Sequence, residues 1–302
     1  MAATELFPGL YRISLPIPRG GFESFLDGWF IEDEERGQNI LVETGPASAS
    51  PELLLQLASL GLAKIDYLIY THIHLDHAGG AGHFIEHFPE TKVLAPLRGR
   101  PHLVDPKKLI SGSRASLGGL CDAYGLPRPV PLENILEDGS QIKGLETIDT
   151  PGHAPHHSSY IYETHGRRIL FPGEAAGCLF PLDDGDFFMR PATPHKFYYD
   201  TEISSLDKLL ALEDIELACF PHSGYIKNPM AVMLEAKKQL ELWLEVTQEL
   251  PAEADADEAV KRLTVRDPML KKLDRLPQMV RERELFFLRQ SAKGFLGWVR
   301  RG

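Results

Sequence analysis

The side chains best suited to chemistry lie in one short segment, T-H-I-H-L-D-H-A-G-G, at residues 71–80. Four of them, within six residues, are of types that bind metals: His72, His74, Asp76 and His77. An apolar run at residues 65–70 precedes the segment and predicts a buried strand, and the glycines after it predict a turn. Because residues two apart point in different directions on a helix, His72 and His74 favour an extended or turning chain. Imidazole and carboxylate together suit zinc, iron or manganese.

Three later segments share this arrangement, in which an apolar strand ends in a turn that carries a possible metal ligand. The turn T-P-G-H-A-P-H-H contains His153, P-G-E-A-A contains Glu174, and P-H-S-G contains His222. The four turns together supply five imidazoles and two carboxylates, enough for two metal ions with positions left for water. Near these turns, His156 and Tyr225 are our candidates for donating a hydrogen bond to a developing oxyanion.

The surrounding sequence predicts strands and helices that would hold these turns. Strands joined by hairpins are predicted at residues 9–15, 25–31 and 39–46. Ser50 and Pro51 are typical of a helix start, and Gly61 of its end. A helix between two strands indicates an α/β architecture. Residues 111–125 are expected to be helical, and residues 135–148 alternate around Asp138-Gly139, which predicts a hairpin.

Composition limits the class of protein. The 302 residues are 43% hydrophobic and 25% charged, as in ordinary globular proteins, and provide one large domain or two smaller ones. Cys121, Cys178 and Cys219 lie far apart with no CxxC spacing, which fits reduced thiols. The sequence shows no signal-peptide pattern and no apolar run near the ~18 residues of a membrane span. We therefore expect a cytoplasmic protein that does not act at a membrane.

The net charge of −11 is unevenly distributed. Residues 266–302 contain ten Lys/Arg and four Asp/Glu, a local +6, so the remainder carries 22 minus 39, or −17. An acidic body argues against nucleic acid as the main partner, since phosphate contacts need a basic face. The basic segment is interpreted as solvated helix faces, with an anionic substrate, a membrane surface or another subunit as alternatives. An apolar stripe at residues 285–298 leaves a homodimer open.

The four turns together resemble the metallo-β-lactamase superfamily, over about residues 8–225. Its H-x-H-x-D-H motif is matched by His72, His74, Asp76 and His77. Its P-G-H motif is matched at His153, its G-D motif falls at Gly173-Glu174, and its last histidine is His222. The resemblance implies an α/β fold of αββα sandwich type, with two mixed sheets and helices outside. We predict this domain at residues 1–228 and a C-terminal helical extension at residues 229–302.

The resemblance also implies a dinuclear metal site. His72, His74 and His153 would hold one ion, and Asp76, His77 and His222 would hold the other. Glu174 would bridge the two ions. The sequence departs from the family at Glu174 and Glu43, where Asp is usual, so that Glu174 could bind one ion only or change the metal spacing. Glu43, Thr71 and Ser158 are candidates for fixing the histidine tautomers.

A metal-dependent hydrolase is the function that the resemblance implies. Two divalent ions, zinc in the first place with iron or manganese as alternatives, lower the pKa of water from about 15.7 to near 7 and supply a metal-bound hydroxide. Asp76 could orient this nucleophile and carry a proton. Similarity to glyoxalase-II-like thioesterases favours a small-molecule acyl substrate, such as a thioester or lactone. A phosphodiesterase or nuclease, a redox protein and a regulatory metal-binding protein are the alternatives.

Overall fold

The computed structural model describes residues 2–301. The chain folds into two compact units. The first contains the described residues up to Thr147 together with Tyr160–Gly166, and the second contains Ile148–Ser159 together with the described residues from Arg167 onward.

A six-stranded sheet with the order β1-β2-β3-β4-β5-β6 forms the centre of the first unit. Its strands are β1 (Thr4–Phe7), β2 (Leu10–Ser14), β3 (Asp27–Asp33), β4 (Gln38–Val42), β5 (Tyr67–Ile69) and β6 (Lys92–Leu94). Strands β1 to β4 pair antiparallel, whereas β4, β5 and β6 run parallel. The near-continuous burial of β3 and β4 shows that both faces of the central strands are covered.

The helices of the first unit are α1 (Ser50–Ser59), α2 (Leu75–Ala78), α3 (Ala81–His87), α4 (Arg100–Val104), α5 (Lys107–Leu117) and α6 (Leu120–Tyr124). Helix α1 joins the parallel strands β4 and β5, which confirms the predicted crossover. It buries Leu53 and Leu57 on one stripe. The single helix predicted at residues 111–125 is instead two helices, because Gly118 takes a left-handed conformation (φ 56°) after α5.

The hairpin predicted at residues 135–148 is wrong. Ile135 makes an isolated parallel bridge to Val93, and the backbone N–H of Leu136 donates to the Val93 carbonyl oxygen (2.9 Å). The end of the segment begins strand β7 (Leu145–Asp149), which belongs to a second, five-stranded sheet. The two halves therefore pair with different strands and not with each other. An alternating sequence pattern does not indicate which strand is the partner.

A second sheet has five strands in the order β13-β12-β9-β8-β7. Besides β7 it contains β8 (Ser158–Thr164), β9 (Arg167–Phe171), β12 (Ile215–Phe220) and β13 (Gly224–Lys227). A separate hairpin is formed by β10 (Cys178–Pro181) and β11 (Phe187–Arg190). Helix α7 (Tyr199–Leu210) leads from this hairpin into β12, which runs parallel to β9.

Three α-helices follow in the second unit: α8 (Met230–Gln248), α9 (Ala256–Arg266) and α10 (Gln278–Val299). Phe295 of α10 packs against Trp243 and Phe197, with ring centroids 5.5 and 4.7 Å away. Glu284 of α10 is buried and accepts hydrogen bonds from Arg190 (2.5 Å) and Arg283 (2.7 Å). These contacts tie α10 to the β10–β11 hairpin. The boundary at residue 228 between the predicted domain and its C-terminal helical extension stays a prediction.

None of the helices within residues 2–301 combines the length and the apolar character needed to cross a membrane.

Candidate metal centre

The H-x-H-x-D-H segment begins just after strand β5, as its sequence predicted. His72 lies in the turn, His74 is the extended residue that precedes α2, and Asp76 and His77 lie within that short helix. His72 and His77 are buried, whereas His74 and Asp76 are partly exposed. The His72 ring lies close to the rings of both other histidines, with centroid distances of 4.6 Å to His74 and 4.1 Å to His77. The turn therefore gathers three imidazoles on one side.

A hydrogen-bonded chain fixes the orientation of His72. The Thr71 hydroxyl donates to Glu43 Oε1 (2.7 Å), and the Thr71 backbone N–H donates to the same oxygen (2.9 Å). Since the single hydroxyl hydrogen is used in this bond, the Thr71 oxygen accepts from Nδ1–H of His72, 3.1 Å away. The tautomer of His72 that results carries its lone pair on Nε2, the nitrogen available to a metal.

Glu43 also supports the last histidine of the segment. Its Oε2 lies 3.6 Å from Nδ1 of His77, and both side chains are buried. Glu43 directly follows strand β4 and has a left-handed conformation (φ 64°), and the next residue, Thr44, donates its backbone N–H to the His77 carbonyl oxygen (3.2 Å). These contacts agree with the supporting role expected for Glu43 and Thr71, and the longer Glu43 side chain still reaches both partners.

His153 is held in a hydrogen-bonded turn of the second unit. Its Nδ1 lies 2.5 Å from the carbonyl oxygen of Ala192, so Nδ1 carries a hydrogen and Nε2 is the nitrogen left to bind a metal. Helix α7 anchors the residues that precede His153. Ser205 Oγ donates to the Pro151 carbonyl oxygen (2.5 Å), and Lys208 Nζ donates to the Asp149 carbonyl oxygen (2.6 Å). Burial is the largest single effect and opposes protonation, but the charge of Glu174 and the hydrogen bonds with Glu174 and the Ala192 carbonyl group together raise the pKa of His153.

Glu174 connects two of the proposed ligands. Its Oε2 lies 3.0 Å from Nε2 of His153, and its Oε1 lies 3.3 Å from Nε2 of His222. Burial disfavours the carboxylate, but the charges of these two histidines hold the pKa of Glu174 well below its ordinary value. Each oxygen thus faces a different imidazole, and the extra methylene relative to aspartate does not prevent contact with both.

Two further residues position Glu174, and they were not identified as such from the sequence. The backbone N–H of Glu174 donates to Nε2 of His157 (3.1 Å), whose Nδ1 lies 2.9 Å from the Thr150 hydroxyl. The thiol of Cys178 donates to Glu174 Oε1 (3.3 Å). Burial raises the pKa of Cys178 well above its ordinary value, so the residue acts as a neutral donor.

Three groups of these side chains could hold a metal ion, since their ligand atoms lie within 4.8 Å of one another. The groups are His72, His74, His153 and Glu174; Asp76, His77 and His222; and Glu174, Cys178 and His222. The first two groups contain the two ligand sets that the resemblance implies. Glu174, which was expected to bridge both ions, belongs to the first group and not to the second. Imidazoles and carboxylates together are a donor set that fits zinc, iron or manganese. In two of these imidazoles, His72 and His153, Nδ1 is hydrogen-bonded, which leaves Nε2 for the metal.

The two catalytic candidates outside these groups lie near the ligand turns. His156 is partly buried, three residues after His153. Tyr225 lies in β13 opposite Cys219 and is 38% exposed. Their role as hydrogen-bond donors to an oxyanion stays a prediction. Ser158, the remaining candidate for a supporting role, is buried at the start of β8.

Comparison with known proteins identifies the family. The family model of the metallo-beta-lactamase superfamily matches residues 27–222, which include all four ligand turns. The chain belongs to the metallo-beta-lactamase superfamily. Over 193 residues it is 28% identical to a metallo-beta-lactamase fold-containing protein of Sulfurisphaera tokodaii, a match that covers 59% of this chain and 67% of that protein. It is also 29% identical over 204 residues to a hydroxyacylglutathione hydrolase of Aeromonas salmonicida, covering 66% of this chain and 62% of the relative.

Solved structures of this superfamily confirm the expected α/β fold with helices at the C-terminus. The crystal structure of an archaeal superfamily protein from Sulfolobus tokodaii covers 97% of this chain and 99% of its own, with a TM-score of 0.66 and 23% identity. A metallo-beta-lactamase family protein from Thermus thermophilus has the same TM-score of 0.66 and 23% identity, and the match covers 98% of this chain and 95% of that one. At these identities the likeness concerns the fold.

Proposed function

We propose that this superfamily member is a metal-dependent hydrolase that cleaves the acyl bond of a small-molecule thioester, lactone or similar substrate. The observation that carries the proposal is the pair of ligand groups, His72, His74, His153 and Glu174 beside Asp76, His77 and His222. We assign one divalent ion to each group and expect zinc in both, with iron or manganese as alternatives.

The chain's own residues prepare this site before any metal binds. Thr71 and the Ala192 carbonyl group engage Nδ1 of His72 and His153, which directs Nε2 of both rings toward the metal position. Fixed ligands reduce the reorganisation needed for binding and favour a defined coordination geometry. When bound, the divalent ions would supply Lewis acidity, lowering the pKa of water and polarising the acyl oxygen.

Asp76 is the residue that we assign to proton transfer. Its side chain is partly exposed, and its Oδ2 lies 3.8 Å from Nε2 of His77. A carboxylate at this position can hold a water molecule in the attacking orientation, accept its proton and return it to the leaving group. His156 and Tyr225 are our proposed donors to the oxyanion that develops on the substrate.

The acyl class is supported by the relatives named hydroxyacylglutathione hydrolase, which match 64–66% of this chain. The acidic body of the chain, −17 outside residues 266–302, weighs against an extended phosphodiester polymer. We further propose that the protein acts without a nucleic-acid or membrane partner. A homodimer remains compatible with this function.

The proposal can be tested by measuring hydrolysis of a generic thioester, a lactone and a phosphodiester. Each should be assayed with metal-depleted protein and after addition of zinc. We expect zinc-dependent cleavage of at least one acyl substrate, and its loss in His72→Ala. His87→Ala is the matched control, because His87 is a histidine on α3 outside the ligand groups, and it should retain activity. Cleavage of the phosphodiester alone would contradict the acyl assignment.

A further inference from the structure

A small cavity lies behind the Glu174 turn. Its lining includes Ala175, which follows Glu174, and Ala192, whose carbonyl oxygen accepts from His153. Glu202 of α7 and Gln239 of α8 contribute the polar side chains of the wall. The cavity has a volume of about 10 Å³, close to the lower limit for one water molecule. It therefore has room for a water molecule and for little else.

Each of these two lining residues carries a buried side-chain oxygen. Among the described residues, Glu202 Oε2 and Gln239 Oε1 find no hydrogen-bond partner, although the two side chains belong to residues only 3% and 2% exposed. The amide group of Gln239 is fixed, because its Nε2 donates to the Met189 carbonyl oxygen (3.0 Å) and to Asp267 Oδ2 (2.7 Å). An unsatisfied buried oxygen costs about 1–3 kcal/mol, which a bridging water would offset.

Glu202 also belongs to the surface of α7 that holds the His153 turn. Ser205 and Lys208 follow it at intervals of three residues, and both donate to carbonyl oxygens of residues 149–151. Glu202 itself packs against Gly152, where an added Cβ would lie 2.1 Å from Glu202 Oε2. Three successive side chains on one helical face therefore contact the segment that leads into His153.

We propose that Glu202 and Gln239 hold one water molecule in this cavity, and that Glu202 is thereby a positioning residue for His153. The inference rests on the proposed function in that His153 is taken as a metal ligand. Glu202 donates its carboxyl hydrogen to the water, and the water donates to Gln239 Oε1. This bridge fixes the Glu202 carboxyl group against Gly152 and so limits the movement of the backbone that carries His153.

The electrostatic surroundings agree with a neutral Glu202. Burial raises the pKa of its carboxyl group, the charge of His153 lowers it and that of Glu174 raises it, for a net value of about 8. The carboxyl group is then protonated at neutral pH and is able to donate.

The test compares Glu202→Gln, which keeps a donor of the same shape, with Glu202→Met, which keeps the length and loses the hydrogen bonds. Zinc affinity is measured by competition with a chelator, and the cobalt-loaded proteins are compared by their visible absorption spectra. We expect Glu202→Gln to bind zinc within about 3-fold of the wild type and Glu202→Met to bind about 10- to 100-fold more weakly, with an altered cobalt spectrum. Asp200→Asn, an acid on the same helix outside the cavity lining, is the control.

Two results would overturn the inference: wild-type affinity in Glu202→Met, or equal loss in both variants. A crystal structure of the metal-free wild type gives an independent readout, with density for a water between Glu202 Oε2 and Gln239 Oε1 expected. A cavity without this density in a protein that binds zinc contradicts the water bridge alone. A wild-type protein that binds no zinc contradicts the proposed function instead.

Discussion

Replacing Thr71 by valine tests how the site prepares its histidines. The change keeps the shape of the side chain and removes the hydroxyl that donates to Glu43 (2.7 Å) and accepts from His72 (3.1 Å). Loss of one partner of a buried polar group costs about 1–3 kcal/mol. Removal of a residue that orients a metal ligand typically weakens metal binding about 10- to 100-fold, or about 1.4–2.8 kcal/mol. We therefore expect Thr71→Val to lower zinc affinity by this factor in a chelator competition assay.

Thr71→Ser is the matched control, because serine retains the hydroxyl group and should bind zinc within about 3-fold of the wild type. The urea-induced unfolding of the metal-free variants separates general destabilisation from loss of ligand orientation. If valine and serine give the same zinc affinity as threonine, the hydroxyl does not orient His72, and the reasoning about its tautomer is refuted.

Three other substitutions test further features of the second unit. Glu284→Gln leaves the buried guanidinium groups of Arg190 and Arg283 without their carboxylate, and we expect urea unfolding to show a loss of about 3–5 kcal/mol. Gly152→Ala places a methyl group 2.1 Å from Glu202 Oε2, which should destabilise the fold by about 1–3 kcal/mol and lower the melting temperature. Because the pKa of Glu202 is raised from 4.5 to about 8, only the folded chain keeps this proton within that interval. The stability of the wild type should therefore fall relative to Glu202→Gln as pH rises from 4.5 to 8, and stay level above 8.

Each of these outcomes has a control or a contrary result. Asp257→Asn removes an exposed ion pair with Arg289 and should cost less than about 1 kcal/mol, so an equal effect of Glu284→Gln would contradict the importance of burial. A Gly152→Ala protein that melts like the wild type would show that the turn can relax away from α7. Parallel pH profiles for the wild type and Glu202→Gln, measured on metal-free protein, would contradict a raised pKa for Glu202.

The ligand turns were predictable because their signals are local. His72, Asp76 and His77 stand between an apolar strand and a glycine turn, and His153 and Glu174 follow proline and glycine directly. Such residues determine a turn wherever the rest of the chain lies. The resemblance then added what spacing does not provide, namely which of the distant turns supply ligands to the same ion.

The supporting contacts could not be predicted, because they depend on tertiary packing. Ala192 contributes only a carbonyl oxygen, and nothing in its side chain marks it as the partner of His153. Cys178 resembles an ordinary buried thiol in sequence until the β10–β11 hairpin brings it to Glu174. Glu202 lies in an amphipathic helix where an acid is expected at the surface, yet it is 3% exposed. The failed hairpin at residues 135–148 has the same origin, since alternation does not choose a partner strand.

The metal content of the purified protein tests the central claim most directly. After reconstitution with zinc and removal of excess metal, elemental analysis should give two ions per chain, and His153→Ala and His222→Ala should each lower this number. His87→Ala should leave it unchanged. A wild-type chain that retains no zinc, iron or manganese under these conditions, or ligand variants that retain as much metal as the wild type, would contradict the assignment of the two groups as a metal centre.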